Sequence, residues 1–282
     1  MATTRRVTAT DGVQLAVFES GEASAPTVVA LHGYPDNHAV WDGVADLLAR
    51  DFHVAAYDVR GAGASDQPSG RRAYRIAQLV DDLATVLDVV SPDDPVHMVA
   101  HDWGSIQAWP AVADERFAKR IATFTSISGP SLDHARAWLL DARHHPRAVL
   151  RQLAHSSYLA LFQLPWLPEA AARRGVLDRG VQRASQGVPP PRTEVDKVNG
   201  LSLYRANLLG RRAETRAVPT SIPVQVIVPE DDAFVTPELA IGAPSPWVAD
   251  LTVRRVAGGH WVVSEHPDLV ARLIREFIAA SN

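Results

Sequence analysis

Three side chains in this sequence are spaced so that together they could run a covalent hydrolysis. Asp102 stands in Val96-His97-Met98-Val99-Ala100-His101-Asp102-Trp103-Gly104-Ser105, where an apolar run gives way to residues able to start a helix. That is the pattern of a strand bending sharply into a helix, with the acid at the bend. Ala100, Gly104 and Ser105 are small enough to let the backbone turn tightly and push the acid out. An Asp in that place could also simply cap the helix, so its partners must decide. Val228-Pro229-Glu230-Asp231-Asp232-Ala233-Phe234-Val235 sets acids directly after a later apolar stretch, and Ala257-Gly258-Gly259-His260-Trp261 sets a histidine after the next. The chain order is nucleophile, orienting acid, base. A carboxylate suits attack on a saturated electrophilic carbon: serine would leave an ether that water does not readily cleave, whereas Asp102 would leave an ester whose carbonyl belongs to the protein. His260, held in one tautomer by Asp232, would activate the water that opens that ester. The backbone N–H groups of Trp103, which follows the nucleophile, and of Tyr34, which follows His32-Gly33, would hold the oxyanion. The expected substrates are epoxides or alkyl halides. An epoxide oxygen needs a proton donor, while a halide needs only groups to cradle it.

These side chains need a scaffold of strands ending at one edge of a sheet. Residues 5–10 and 13–19 alternate as strands do around Asp11-Gly12, a hairpin signal, so the chain opens antiparallel. The continuously apolar run at 26–31 reads as a strand buried on both faces, 53–58 and the apolar run at 121–127 read as further strands, and strand character resumes at 223–228 and 251–256. Between them lie helical patterns at about 40–50, 74–91 and 103–115, with a last one near 267–280. In the second, Ile76, Leu79, Val80, Leu83, Val86, Leu87 and Val90 recur at helical spacing. Alternation of this kind predicts parallel βαβ units. From about 130 to 218 only helical patterns occur, broken by Pro146, Pro165, Pro168 and the run Pro189-Pro190-Pro191. The expected organisation is a core of residues 1–130 and 219–282 split around a helical cap at 131–218.

The segments His32-Gly33-Tyr34-Pro35, Asp58 with Arg60-Gly61-Ala62-Gly63-Ala64-Ser65, His101-Asp102-Trp103-Gly104 and Gly259-His260-Trp261 resemble the epoxide hydrolase and haloalkane dehalogenase branch of the α/β hydrolases, across essentially the whole chain, and in particular bacterial epoxide hydrolases of the EphD type. The resemblance implies an α/β-hydrolase fold, a mostly parallel sheet flanked by helices with an inserted helical cap. Tyr158 and Tyr204, in Tyr158-Leu159-Ala160-Leu161-Phe162-Gln163-Leu164-Pro165 and Tyr204-Arg205-Ala206-Asn207, resemble the ring-opening tyrosines of epoxide hydrolases. A phenol with an ordinary pKa near ~10 suits donation to an alkoxide forming at neutral pH. Many similar dehalogenases carry Asn where this chain has Tyr34, which favours the epoxide. The family spacing favours Asp232 over Asp231 as the acid, leaving Glu230 solvated. His32, Pro35, Trp103, Phe162 and Trp261 are expected to wall the substrate, and Trp138, Trp166 and many Leu in the cap to make the pocket apolar, which implies a lipophilic epoxide, with a vicinal diol as product.

Bulk properties narrow the rest. The chain has 282 residues, 46% of them hydrophobic, enough for a large core. Its net charge of −4 comes from 28 basic and 32 acidic residues without a long block of one sign, so a nucleic-acid partner is not expected. The absence of cysteine excludes disulfides, thiolate zinc sites and a Cys nucleophile. No metal and no cofactor is expected: Gly61-Ala62-Gly63 lacks the third glycine and the following helix of a nucleotide loop. No run is long enough to span a bilayer, and Met1–Arg6 leads into no apolar signal segment, so a cytoplasmic protein is expected, with peripheral membrane contact left open. Monomer and homodimer are both compatible with the sequence. Asn282 follows the last helical pattern so closely that the chain could be cut from a longer fusion. Competing readings are a dehalogenase with the same Asp-His-Asp set, a fold that binds an apolar ligand without turnover, and an esterase using Ser105, which sits three residues past the bend and should face helix packing.

Overall fold

A computed structural model describes residues 3–185, 191–208 and 217–281. The chain opens with β1 (Thr3–Thr8), β2 (Gln14–Ser20), β3 (Thr27–Leu31), α1 (Asp42–Leu48), β4 (His53–Tyr57), α2 (Ile76–Val90), β5 (Val96–His101), α3 (Trp103–Val112) and β6 (Ile121–Ile127). It then runs through α4 (Leu132–Leu140), α5 (Pro146–His155), α6 (Tyr158–Phe162), α7 (Leu167–Arg173), α8 (Val176–Ala184), α9 (Glu194–Asn199) and α10 (Leu201–Asn207). β7 (Val224–Pro229), α11 (Pro237–Gly242), β8 (Leu251–Val256), α12 (Val262–Glu265) and α13 (Pro267–Ser281) complete it.

The strands form one sheet in the order β1-β2-β4-β3-β5-β6-β7-β8, with β1, β2 and β4 paired antiparallel and all pairs from β4 to β8 parallel. The central runs become strands because they are covered on both faces: every residue of β3, β4, β5 and β7 is buried, whereas β8 at the sheet edge buries only Val256 fully and exposes Arg254 and Arg255. One layer of core packs α2 and α3 on one face of the sheet, and a second packs α1 and α13 on the other. α2 turns Leu79, Val80, Leu83, Val86, Leu87 and Val90 inward, as its spacing predicts, with Ile76 only partly covered. The third predicted helix stops at Val112, and Glu115–Phe117 forms a separate 3-10 turn.

Strand order reverses beside β3, which lies between β4 and β5, so the loops after β3 and β5 diverge to opposite sides and leave a crevice at the carboxyl ends of the strands. The loops after β7 and β8 reach the same edge. Between β6 and β7 the described residues hold helices and turns, with an isolated β-bridge from Thr220 to Val248 just before β7, and Pro146 and Pro168 stand at helix starts. Pro189 and Pro190 lie outside the described residues.

Candidate active site

Asp102 occupies the bend between β5 and α3 with φ 50° and ψ −121°, a conformation that costs a non-glycine residue about 1–3 kcal/mol and persists only where its surroundings fix it. Here the Asp102 N–H donates to the Ile127 carbonyl at 2.9 Å, and its own carbonyl accepts the first bond of α3, from Ile106, at 2.9 Å. The bend also needs bare backbone beside it. A Cβ on Gly104 would stand 2.3 Å from the Leu31 carbonyl oxygen, and one on Gly33 would stand 2.5 Å from Asp102 Oδ2.

The carboxylate is therefore held from behind. Asp102 Oδ2 accepts the Tyr34 N–H at 2.7 Å, and the Trp103 N–H bonds the same carboxyl group. The two donors expected for an oxyanion thus converge on one carboxylate. Asp102 Oδ1 faces His260, whose Nε2 lies 3.8 Å away. On its other side His260 Nδ1 donates to Asp232, 3.0 Å from Oδ2 and 3.1 Å from Oδ1. Asp232 also accepts the backbone N–H groups of Phe234 at 2.8 Å and Val235 at 3.1 Å, which fixes its orientation. Asp231 instead uses its N–H to bond the Gly258 carbonyl, tying the two loops together.

Burial decides the charges. It raises the Asp102 pKa to about 6, against the opposing pull of His260 and the two backbone donors. Burial alone would push His260 down, but Asp232 and then Asp102 overcome it and lift the imidazole to about 9. For Asp232, burial acts upward, and the charge and hydrogen bond of His260 outweigh it to hold the carboxyl below its usual range. At neutral pH an ionised Asp102 thus stands beside an imidazolium paired to a second carboxylate.

Two cavities meet at Asp102, Tyr158, Tyr204 and Phe234. One, of about 230 Å³, runs under Tyr34, Pro35, Phe162, His260 and Trp261 toward Leu161 and Val176. The other, of about 450 Å³, runs along Trp103 and Ile106 toward Arg136 and Leu139. The aromatic walls pack edge-on: Tyr204 stands 4.9 Å from Trp103, 5.3 Å from Tyr34 and 5.0 Å from Phe162, and Tyr158 stands 5.3 Å from Phe162, centroid to centroid. The phenols are not ordinary ones. Burial first, then the Asp102 charge, pushes Tyr158 well above its usual pKa, and burial, Tyr158 and Asp102 do the same for Tyr204. Both stay protonated at neutral pH and can donate hydrogen bonds.

A family model described as the alpha/beta hydrolase fold matches residues 26–267. The chain belongs to the α/β-hydrolase family. It is 36% identical over 290 residues to a Mycobacterium tuberculosis protein named "Probable oxidoreductase EphD", a match that covers 97% of this chain and 49% of that protein. The chain therefore spans about half the length of the EphD proteins it matches. It is 31% identical over 237 residues to "Epoxide hydrolase A" of M. tuberculosis, covering 83% of this chain and 69% of that one. Among solved structures it is similar, with a TM-score of 0.80 and 25% identity over 98% of this chain and all of the other, to a mutant of an epoxide hydrolase from Bacillus megaterium complexed with its product, a naphthyloxy-propane-1,2-diol.

Several side chains of this α/β hydrolase stand elsewhere than the sequence suggests. His32 does not wall the two cavities: its Nδ1–H donates to the Gly33 carbonyl at 2.9 Å and its Nε2 accepts the Val59 N–H at 2.9 Å, so both nitrogens are spent shaping the loop that carries Tyr34. Trp166 is 73% exposed, and Trp138 packs outside on His145, so neither builds the pocket. Glu230 is solvated as expected, exposed at the surface where it pairs with Arg255. Ser105 donates inward to the Gly129 carbonyl at 2.7 Å, as its distance from the bend predicts. Gly63, in the loop discounted as a nucleotide site, gives its N–H to Asp196 of α9 and so anchors the helical segment on the core.

Two contributors escaped the sequence reading. His101 is fully buried and neutral, with burial lowering its pKa to about 4, and its Nε2–H donates to the His260 carbonyl at 2.8 Å, steadying the loop that carries His260. Phe234 stacks edge-on against His260 at 4.8 Å and lines both cavities. Its position two residues past Asp232 was the available signal, an aromatic on the same loop as the orienting acid.

Proposed function

We propose that this chain is an epoxide hydrolase that opens a lipophilic epoxide to a vicinal diol through a covalent Asp102 ester. The observation that carries the reading is the divided carboxylate: Oδ2 is held from behind by backbone N–H while Oδ1 faces His260 beside cavities that Tyr158 and Tyr204 also line. Oδ1 attacks one ring carbon, the C–O bond to the ring oxygen breaks, and a phenol supplies the proton that the departing oxygen takes. Two buried phenols are of use to an alkoxide and of little use to a halide, which leaves already stabilised as an anion. The names of the relatives, an epoxide hydrolase among both sequence and structural matches, support the same reaction class.

Alkylation changes the electrostatics of the next step. Once Asp102 is esterified it no longer carries the charge that helps hold His260 up, so the imidazolium gives up its proton, which restores the phenol spent in ring opening, and the neutral imidazole is then a base for water. Water attacks the Asp102 carbonyl carbon, His260 takes its proton, and the oxyanion forms on Oδ2 between the two N–H donors already in place. Collapse expels the alkoxide, which takes the second proton of the attacking water to complete the diol, and leaves a water oxygen in the Asp102 carboxylate beside a protonated His260. The all-helical stretch between β6 and β7, read as a cap over 131–218 on a core of 1–130 and 219–282, supplies the ring-opening phenols and shields the ester.

The experiment is a single turnover in ¹⁸O water, with enzyme in excess over a soluble aryl epoxide and a chloroalkane in parallel. The expected result is heavy oxygen in the Asp102 carboxyl group, an unlabelled first diol and no halide release. Label in the first diol would overturn the ester, and halide release without diol would make the chain a dehalogenase.

A further inference from the structure

Charge is distributed unevenly along the chain. Residues 131–218 hold fourteen basic side chains against seven acidic ones, a net of +7, while the remainder holds fourteen against twenty-five, a net of −11. Exposed apolar side chains follow the same division. Among the described residues, the large hydrophobics that stand in solvent are Val89 and nine others, all nine within 131–218. Isolated exposed leucines are ordinary on a soluble protein, but a concentration of them on the most basic part of an acidic molecule is not.

The concentration has a focus. Leu161, Leu164, Trp166 and Leu167 run along the turn from α6 to α7, exposed by 42%, 45%, 73% and 42%, and Val176 opens α8 with 47% exposure. Trp166 is held there by a left-handed backbone, φ 51°, which keeps a large indole outside the protein at a conformational cost. Arg174 and Arg183, exposed and without an ion-pair partner among the described residues, flank the same elements. Leu161 and Val176, both exposed, also line the 230 Å³ cavity that reaches Asp102, so that cavity has its mouth between them, beside the apolar turn.

We propose that the α6–α7 turn and the start of α8 dock on an anionic phospholipid bilayer, seating the mouth of the smaller cavity at the lipid interface. Apolar side chains with a tryptophan among them, beside two exposed arginines, match the acyl–headgroup boundary, where leucines lose water, an indole sits at headgroup depth and cations meet lipid phosphates. The remainder of the chain, with its net of −11, is repelled by such a surface, so the molecule carries an orienting charge asymmetry as well as a contact patch. The docking stands on exposure and charge. Its use, delivery of a lipid epoxide from the membrane without passage through water, rests on the reaction proposed above.

The test is co-sedimentation of the full chain with vesicles of phosphatidylcholine alone and with about 30% phosphatidylglycerol, at low salt and at about 0.5 M, where screening is nearly complete. Trp166→Ser with Leu164→Ser and Arg174→Glu with Arg183→Glu serve as variants, each checked for an unchanged melting temperature. Expected is binding to the anionic vesicles only, lost in high salt and weakened roughly tenfold or more by either pair of changes. No binding to anionic vesicles, equal binding to both lipids, or variants that bind like the parent would overturn the proposal. So would a dimer, seen by sedimentation velocity, that the same variants dissociate, since a second copy would then be what covers the patch. A chain that binds vesicles in this pattern yet hydrolyses no epoxide upholds the docking and removes only the reaction.

Discussion

His260→Gln is the perturbation that separates the two chemical steps. On the proposed mechanism it removes the base that the ester needs, a loss of about 10²–10⁴ in the hydrolytic step, while leaving the proposed nucleophile in place. It also removes the cation 3.8 Å from Asp102 Oδ1. At that distance, with an effective dielectric constant near 20, the attraction amounts to no more than about 4 kcal/mol, so its loss raises the Asp102 pKa by as much as about three pH units. Because Asp102 already sits at about 6 through burial, the variant carries a mostly protonated, unreactive acid at pH 7 and recovers its carboxylate only in alkali. The expected outcome is a stoichiometric protein adduct with the mass of the intact epoxide, formed slowly at pH 7, faster toward pH 9, and stable once formed. Intact-protein mass spectrometry after a rapid quench, across that pH range, reads both the adduct and its rate, with Asp102→Ala as the variant that forms none. Diol without adduct, or an adduct whose rate follows the parent's pH profile, would refute the reasoning about both the ester and the pair.

On the proposed mechanism, ester formation in the unaltered protein needs the ionised acid, so its rate should fall about tenfold per pH unit below the Asp102 pKa of about 6 in pre-steady-state measurements. Tyr158→Phe combined with Tyr204→Phe removes both donors to the ring oxygen and slows ester formation by roughly 10²-fold or more, leaving hydrolysis of the ester nearly unchanged. Gly33→Ala puts a methyl group 2.5 Å from Asp102 Oδ2 and 2.6 Å from the Trp103 nitrogen, so the bend must shift, which spoils the proposed oxyanion site, costs about 10²–10³ in kcat and lowers the melting temperature as well. Arg60→Met strands Asp82, a buried carboxylate paired to Arg60 at 2.6 Å, and lowers the unfolding free energy in urea by about 3–5 kcal/mol.

What the sequence determined by itself is local. Period-two and continuous apolar runs became β1 to β8 because a strand's burial pattern is written residue by residue, and the helical spacing of α2 foretold its buried stripe for the same reason. The bend at Asp102 was legible because only small neighbours let a strand turn there, and the placing of Asp232 and His260 after later apolar runs put them at the same sheet edge. The tertiary structure decided what depends on approach through space. That His260 turns to Asp232, that His32 spends both nitrogens on its own loop, and that Trp166 points outward while Phe234 points in are facts of packing between segments far apart in the chain. Nor could composition give the charges: Asp102 rises, Asp232 falls and both phenols rise because each is stripped of water beside a different neighbour, and desolvation exists only once the fold has closed around it.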